Sequence, residues 1–345
     1  MFGFFTSVNA VVVIVSTGKS WMVNQDKMSS NSKGCVLLAG PTASGKSALA
    51  VAIANEFNGV VINGDSMQVY NALRVITARP SLEEETLASH RLYGVLEPDD
   101  YCTAARWRDM ALAEIQVCHE AGKLPIIVGG TGLYFEILTK GIAEIPAISE
   151  AKRSELRALQ TEQGNQIIYD RLLLKDPEMA AKLNLGDTQR LLRALEVAED
   201  TGVTLSQWHK TATEGPVLEC PRLWLALTPE RQWLYDRCNR RLDWMLEEGG
   251  AEEEVKMILK RNLDSSLPSM KALGVPEIIE YLEGRISKEE AKERIKMQTR
   301  RYAKRQMTWV RNKMSEAKTS SAQDMESLKV DFFPFIRHFL LTLEE

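Results

Sequence analysis

The segment GPTASGKS at residues 40–47 constrains the fold of this chain more than any other. It matches the pattern G-x-x-x-x-G-K-[ST] and lies between the apolar run CVLLA and the helical pattern KSALAVAIANEF. In that setting backbone N–H groups turn toward phosphate oxygens, and the N terminus of the helix adds a favourable dipole. The motif predicts phosphate binding and says almost nothing about the reaction. The predicted phosphate loop consists of Gly40, Pro41, Thr42, Ala43, Ser44, Gly45, Lys46 and Ser47.

The pattern of apolar runs indicates an α/β fold. GVVIN and LPIIVGG are strand patterns without alternation, and helical patterns separate them, which is typical of a parallel sheet covered on both faces. Residues 141–220 show only helical patterns, and RLWLALT after them predicts a return to the sheet. We predict a P-loop NTPase-like parallel sheet flanked by helices, with an all-helical insertion domain. The predicted segments are a disordered or non-native extension at 1–33, a core at 34–140 and 221–315, an insertion at 141–220 and a C-terminal tail at 316–345.

Composition excludes several classes of protein. The 345 residues carry a net charge of -4, which argues weakly against a nucleic-acid binder because a local basic patch can be hidden in the total. The five cysteines are scattered without a C-x-x-C pair, so we expect reduced thiols in a cytoplasmic protein, with no zinc site or disulfide framework. The apolar run near the N terminus is too short to span a bilayer, and we expect no membrane association.

Polar residues follow two further predicted strands. Asp65 and Ser66 come directly after GVVIN, and Thr131 follows LPIIVGG. Because ligands bind at the carboxyl ends of parallel strands, we expect these residues to converge with Lys46 and Ser47, on adjacent strands if the topology is doubly wound. From the residues alone Asp65 is either a carboxylate ligand of Mg²⁺ or the proton acceptor of an incoming nucleophile. The Ser47 hydroxyl is the expected Mg²⁺ ligand.

Seven collinear segments resemble the tRNA dimethylallyltransferase family, bacterial type, from about residue 35 to 312. They are GPTASGKSALA, GDSMQVY, TARP, HRLYGVLEP, GGTGLYFEIL, DTQRLLRALEV and QTRRYAKRQMTWVRN. The resemblance implies transfer of a dimethylallyl group from dimethylallyl diphosphate to N6 of the adenosine 3′ to the anticodon, in tRNAs that read codons starting with U. It implies that the phosphate loop with Lys46 and Mg²⁺ stabilises the departing diphosphate. Asp65 would meet the amine, and Thr131 would orient the diphosphate or the amine.

The resemblance also implies that the tRNA anticodon stem-loop is a partner, clamped by the insertion domain. The segment 294–313 supports this independently, because it carries eight basic residues, interleaved with Tyr302 and Trp309, and no acidic one. We expect Trp309 itself to lie in the core. The residues predicted to contact tRNA are Asp65, Ser66, Met67, Gln68, Thr131, Arg153, Gln189, Arg190, Leu191, Leu192, Arg193, Arg300, Arg301, Lys304 and Arg305.

Some features depart from the family pattern or stay open. Arg79 in ITARP stands where the family usually has lysine, and Val275 and Pro276 replace a polar pair expected near the anticodon loop. One or two of Arg237, Arg240 and Arg241 are expected at the diphosphate, without a ranking among them. The alternatives are an adenylate isopentenyltransferase, which needs no basic final helix, and a P-loop kinase or NTPase. We expect a monomer.

Overall fold

The computed structural model describes residues 10–14, 20–24, 34–143, 145–210 and 217–343. Its main sheet has six parallel strands in the order β5-β4-β6-β3-β7-β8, and β1 and β2 pair separately as an antiparallel ribbon. The predicted disordered or non-native extension at 1–33 falls outside the described residues except for these two strands. The strands are β1 Ala10–Ile14, β2 Ser20–Asn24, β3 Cys35–Ala39, β4 Gly59–Asn63, β5 His90–Arg91, β6 Leu124–Gly129, β7 Arg222–Leu227 and β8 Lys318–Ser320.

Helices cover the sheet and build the insertion, which confirms the predicted α/β class. None of the helices in the described ranges is both long and apolar enough to cross a membrane. A short 3-10 turn at Ser269–Lys271 precedes α11. The helices are α1 Lys46–Glu56, α2 Leu82–Leu87, α3 Ala104–Glu120, α4 Gly132–Lys140, α5 Glu150–Lys175, α6 Pro177–Ala180, α7 Thr188–Thr201, α8 Leu205–Trp208, α9 Arg231–Glu247, α10 Ala251–Leu259, α11 Val275–Leu282, α12 Lys288–Lys313 and α13 Met325–Thr342.

The order of the central strands corrects one expectation. β4, which precedes Asp65, does not lie beside β3 of the phosphate loop, because β6 pairs with both and lies between them. The chain therefore passes from β3 to β4 across one strand position in the sheet, and β6 later occupies that position. The ends of β4 and β6 approach closely, since the Gly64 N–H donates to the Val128 carbonyl at 2.7 Å. A Cβ at Gly129 would lie 2.1 Å from the Gly64 carbonyl oxygen, so only glycine fits there.

The described residues fall into two compact units. One comprises the residues up to 135 together with those from 220 onward, and the other comprises residues 136–219. The second unit is helical and has its own core, which includes Leu156, Ile168, Leu172, Leu191 and Leu195. Its longest helix, α5, has a kink at Gly164, where the backbone leaves the helical conformation with a φ of 77°.

The expectation of a C-terminal tail at 316–345 is wrong. Strand β8 extends the main sheet by pairing with β7, and α13 packs on the core next to α1. The buried side of α13 consists of Leu328, Phe332, Ile336 and Leu340, which recur every four residues. This apolar spacing is the pattern of a helix that packs on a core, so the segment 318–342 is part of the sheet-containing unit.

Candidate active site

A cavity of about 1040 Å³ opens in the sheet-containing unit where the predicted phosphate loop and the Asp65 loop meet. Most of its lining comes from the ends of β3 and β4 and from helices α9 and α12. Some predicted site residues of the same unit do not line it, namely Gly40, Pro41, Ser44, Thr131, Arg300, Arg301 and Lys304. The predicted site residues on its wall are Thr42, Ala43, Gly45, Lys46, Ser47, Asp65, Ser66, Met67, Gln68 and Arg305.

The phosphate loop has the conformation that its sequence predicts. Gly45 adopts a φ of 93° immediately before α1, a left-handed conformation that strains other residues. Lys46 starts the helix, and its ammonium donates to the Pro41 carbonyl at 3.3 Å. Burial lowers the pKa of Lys46 to about 8, although the carboxylate of Asp65 acts in the opposite direction. The Ser44 hydroxyl is buried and has no hydrogen-bond partner in the described part of the chain.

Hydrogen bonds between side chains and the backbone fix the loop that carries Asp65. The Asn63 side chain accepts the Asp65 N–H at 2.8 Å and donates to the Leu92 carbonyl at 3.1 Å. Asp65 Oδ1 accepts the Met67 N–H at 2.9 Å. The second carboxylate oxygen has no hydrogen-bond partner among the described residues, and the half-buried side chain lies on the cavity wall. Asp65 therefore presents one free oxygen to the cavity.

Thr131 lies behind this wall rather than on it. Its Oγ1 accepts the Ser66 N–H at 3.3 Å, so Thr131 contacts the Asp65 loop from the end of β6. The three strand ends predicted to converge do so, but Thr131 itself does not line the cavity and contacts the lining residue Ser66. Its predicted contact with substrate stays a prediction.

Two neutral residues of α12 contact these loops: Gln306, which the sequence did not single out, and Tyr302, which the sequence placed among the basic residues. The amide of Gln306 accepts the Thr42 N–H at 2.8 Å and donates to the Gly130 carbonyl at 3.1 Å. Tyr302 lines the cavity, and its hydroxyl lies close to the side chains of Thr131 and Gln306. Burial, with a further contribution from the charge of Asp65, raises the pKa of Tyr302, which keeps this phenol protonated at neutral pH. The basic residues of α12 indicate a function for this helix in the sequence. Gln306 is neutral, so the same pattern does not indicate its role.

The three candidate arginines of α9 differ in their contacts with the phosphate loop. Arg237 Nε donates to the Ala43 carbonyl at 2.8 Å, and the Arg241 guanidinium donates to the Thr42 hydroxyl. Arg240 lines the same cavity but forms no hydrogen bond or ion pair with any described residue. Arg237 and Arg241 therefore add two positive charges directly to the phosphate loop.

The basic segment of α12 divides into a paired part and an unpaired part. Arg294 pairs with Glu280 and Glu290, and Lys296 pairs with Asp243, so acids from other turns and helices neutralise the first part. Arg300 donates to the Asn239 side chain at 2.8 Å. The exposed stripe, defined as Arg301, Lys304, Arg305 and Arg311, forms no ion pair within the described part of the chain and follows the spacing of one helix face.

Trp309 is not part of that stripe. Its ring stacks on Phe135 at a centroid distance of 6.0 Å, and a Cβ at Gly132 would lie 2.4 Å from it. Trp309 is half-buried and packs against Phe135 and Gly132. Its place in the core, away from RNA, stays a prediction.

In the helical unit, one predicted tRNA contact is wrong. Leu191 is fully buried in the core of that unit, because the apolar face of α7 is the face that packs. Leu192 is half-buried against the same core, whereas Gln189 and Arg190 are exposed. These last two stay predictions.

Arg153 and Arg193 face an acid inside the same unit. Both lie close enough to the buried carboxyl of Glu196 to act on its charge, as does Arg157. Burial raises the pKa of Glu196, and the three arginines counteract that effect. Arg153 also pairs with Glu150 at 3.8 Å. The tRNA contacts of Arg153 and Arg193 stay predictions.

The departures from the family pattern also have places in the structure. Arg79 lines the cavity and donates to the Tyr70 carbonyl at 3.1 Å, while its Nε is buried without a partner in the described ranges. Val275 is buried and Pro276 lies in the first turn of α11, so this pair supports the helix start rather than facing the cavity.

A parallel sheet with a phosphate loop, a carboxylate on the same cavity wall and an unpaired basic stripe define a P-loop enzyme for a phosphorylated substrate. Residues 68–313 match the IPP transferase family. The chain is 47% identical over 283 residues to a tRNA dimethylallyltransferase of Rhodospirillum centenum, covering 82% of this chain and 90% of that protein. A tRNA dimethylallyltransferase of Paramagnetospirillum magneticum is 47% identical over 315 residues, covering 91% and 99%. The chain therefore belongs to the IPP transferase family, together with these tRNA dimethylallyltransferases.

Solved structures agree with that assignment. The full-length tRNA isopentenylpyrophosphate transferase from Bacillus halodurans is 35% identical with a TM-score of 0.66, covering 90% of this chain and 98% of that one. A eukaryotic dimethylallyltransferase captured acting on tRNA is 28% identical with a TM-score of 0.71, covering 88% and 78%.

Proposed function

We propose that this protein transfers the dimethylallyl group of dimethylallyl diphosphate to N6 of the adenosine 3′ to the anticodon, in tRNAs that read codons starting with U. The observation that carries the proposal is the shared cavity wall, on which the phosphate loop and the free oxygen of Asp65 face the same space. Such a wall suits a reaction in which a phosphate group leaves and an amine loses a proton. The names of the relatives supply the substrate class.

The phosphate loop acts on the leaving group. As the bond between C1 and the diphosphate oxygen breaks, negative charge grows on the diphosphate, and preorganised donors stabilise it. Lys46, Arg237 and Arg241 provide positive charge around the loop, and the buried Ser44 hydroxyl is an unused donor within it. Because these groups are held before the substrate arrives, little reorganisation accompanies the reaction.

Mg²⁺ fits the same place. Ser47 and Asp65 present oxygen atoms on one cavity wall, and oxygen is the ligand that Mg²⁺ prefers. No group of three or more His, Cys, Asp or Glu side chains in the described ranges could hold a metal. Ser47 would therefore be the protein ligand, with substrate oxygens and water completing the shell. Bound there, the ion would neutralise charge on the diphosphate.

Asp65 acts on the nucleophile. N6 of the adenosine attacks C1, and the free carboxylate oxygen of Asp65 accepts the proton that the amine loses. The Asp65 N–H donates to the Asn63 side chain, and the Asp65 carboxylate accepts the Met67 N–H; these two hydrogen bonds hold the carboxylate in place. Thr131 supports the loop from behind by accepting the Ser66 N–H. The adenine amine is a weak nucleophile, so positioning of the two reactants supplies most of the acceleration.

The RNA reaches this cavity with the target base flipped out. A base in a stacked loop cannot enter a cavity at the sheet ends, and extrusion costs a few kcal/mol, least in a loop. The exposed stripe of α12 lies next to the cavity, since Arg305 belongs to both, and binds the RNA backbone. A tRNA substrate supports our expectation of a cytoplasmic protein, and a monomer stays our expectation.

A transfer assay tests the proposal. The protein is incubated with radiolabelled dimethylallyl diphosphate, Mg²⁺ and either an anticodon stem-loop with adenosine 3′ to the anticodon or free AMP. We expect label in the stem-loop and an equal amount of diphosphate released only when RNA is present. Label in AMP alone would favour an adenylate isopentenyltransferase. Nucleotide-dependent release of phosphate would favour a kinase or NTPase. Label in neither acceptor would refute the proposal.

A further inference from the structure

Arg240 and Trp244 of α9 form a pair on the cavity wall that the reaction described above does not use. Both side chains line the cavity and both are exposed. Trp244 is half exposed, and it is the only exposed tryptophan among those whose side chains the structure describes. A large aromatic ring exposed on the cavity wall is available to stack on a flat group of a ligand.

The position of the pair on α9 separates it from the phosphate loop. Arg237 and Arg241 lie four residues apart on the face of α9 that bonds the loop. Arg240 and Trp244 lie four residues apart on the neighbouring face. Arg240 forms no ion pair or hydrogen bond with any described residue, so its charge is available to an anion other than the diphosphate.

The indole ring of Trp244 is held in place before any ligand binds. A Cβ added at Gly249 would lie 3.0 Å from the Trp244 ring and 3.1 Å from Val75, so one edge of the ring rests over Gly249 beside Val75. The other part of the ring stays open to solvent and to the cavity. A rigid exposed ring is suited to stacking on a nucleobase, and such stacking accepts any base because every base has a π face.

We propose that Arg240 and Trp244 bind one nucleotide next to the target adenosine, with Trp244 stacked on its base and Arg240 on its phosphate. Residues four apart on a helix have Cβ atoms about 5–6 Å apart, a spacing that allows one nucleotide to reach both. The pair thereby holds the anticodon loop open while the adenosine occupies the cavity. This inference rests on the proposed function, since it takes RNA to be the substrate.

Binding of a fluorescent anticodon stem-loop, measured by anisotropy without dimethylallyl diphosphate, tests the pair. Trp244→Leu should raise the Kd about tenfold, and Trp244→Phe, which keeps an aromatic ring, should stay within about threefold of the wild type. Arg240→Gln should reduce the slope of log Kd against log salt by about 0.7. The controls Met257→Ala and Arg231→Gln remove an exposed apolar and an exposed basic side chain that do not line the cavity, and they should leave the Kd unchanged.

A double-mutant cycle, which combines a substitution of Trp244 with a modified RNA, identifies the nucleotide that Trp244 contacts. Stem-loops with an abasic nucleotide on the 5′ or 3′ side of the target adenosine are bound to the wild type and to Trp244→Leu. We expect the abasic site at one of the two positions to abolish the effect of the substitution, because the stacked base is already missing. Additive losses at both positions, an unchanged Kd for Trp244→Leu, or a raised KM for dimethylallyl diphosphate in place of the raised RNA Kd would overturn the proposal. Wild-type transfer activity, measured on the same protein, tests the proposed function separately.

Discussion

Gln306 accepts the backbone N–H of Thr42 through its side-chain oxygen at 2.8 Å. The same amide donates to the Gly130 carbonyl at 3.1 Å, so one buried side chain of α12 joins the loops that follow β3 and β6. The helix with the exposed basic stripe thus also holds the phosphate loop. Both bonds are partly buried, and they link α12 to the two loops.

Gln306→Leu should loosen the phosphate loop. We expect the KM for dimethylallyl diphosphate to rise about tenfold, and the free energy of unfolding to fall by about 1–3 kcal/mol, because two hydrogen bonds between a buried side chain and half-buried backbone groups are lost. Gln306→Glu keeps the acceptor for Thr42 but cannot donate to Gly130, so its KM should lie between those of the wild type and Gln306→Leu. Steady-state kinetics and urea unfolding measure both effects. An unchanged KM for Gln306→Leu would show that the bridge does not position the loop.

Lys46 should make diphosphate binding depend on pH. Burial lowers the pKa of Lys46 to about 8, and an anionic ligand favours the protonated amine. Affinity for inorganic diphosphate should therefore be retained below pH 8 and decline as pH rises through 8, where the free protein loses this proton.

Lys46→Arg is the matched control, because arginine stays charged across this range. Both proteins are titrated calorimetrically with inorganic diphosphate between about pH 7 and 9.5, a window around that pKa. Because the ligand ionises equally in both titrations, comparison of the two proteins removes the effect of its own ionisation. The wild type should lose affinity relative to the variant as pH rises. Parallel curves would contradict the role of Lys46 as a titrating diphosphate ligand.

The exposed stripe on α12 should control the salt dependence of RNA binding. Replacing Arg301, Lys304 and Arg305 together with glutamine should reduce the slope of log Kd against log salt by about 2, at about 0.7 for each single-strand phosphate contact. Arg294→Gln is the control, because Arg294 is already paired with Glu280 and Glu290. Its RNA affinity should match the wild type. Equal losses in the control would mean that total charge, and not this stripe, attracts the RNA.

The C-terminal helix should contribute strongly to stability. Phe332 is buried in the core next to α1, and Phe332→Ala should lower the free energy of unfolding by about 3–5 kcal/mol. Val330 is 73% exposed on the same helix, and Val330→Ala should change it by less than about 0.5 kcal/mol. Urea unfolding of the two variants decides. Equal stability of both would mean that α13 does not pack on the core in solution.

The sequence predicted those parts of the site that local rules determine. The phosphate loop follows from glycines and a lysine at fixed spacing, and the place of Asp65 follows from the strand before it. Strand order did not follow, because the position of β6 between β4 and β3 depends on pairing between segments far apart in the chain. The insertion of β8 and α13 into the sheet-containing unit was missed although Leu328, Phe332 and Ile336 have helical spacing, since Pro334 interrupts the pattern.

Side-chain roles were harder to predict than the place of the site. Whether Leu191 faces RNA or the core of its unit depends on which side of α7 packs, and the apolar side packs. The three arginines of α9 could not be ranked until helix geometry placed Arg237 and Arg241 against the phosphate loop. Gln306 is neutral, and its importance comes only from the two backbone groups that folding brings to it.

Single-turnover transfer by Asp65→Asn tests the central claim most directly. Asparagine keeps an oxygen for the Met67 N–H but cannot accept the proton from N6. With labelled dimethylallyl diphosphate and saturating stem-loop, we expect the rate of transfer to fall by at least about 100-fold. The Kd values of RNA and of the diphosphate should stay within about threefold of the wild type. An unchanged rate accompanied by a weaker Kd for RNA would show that Asp65 binds the nucleotide without taking its proton, and would contradict this account.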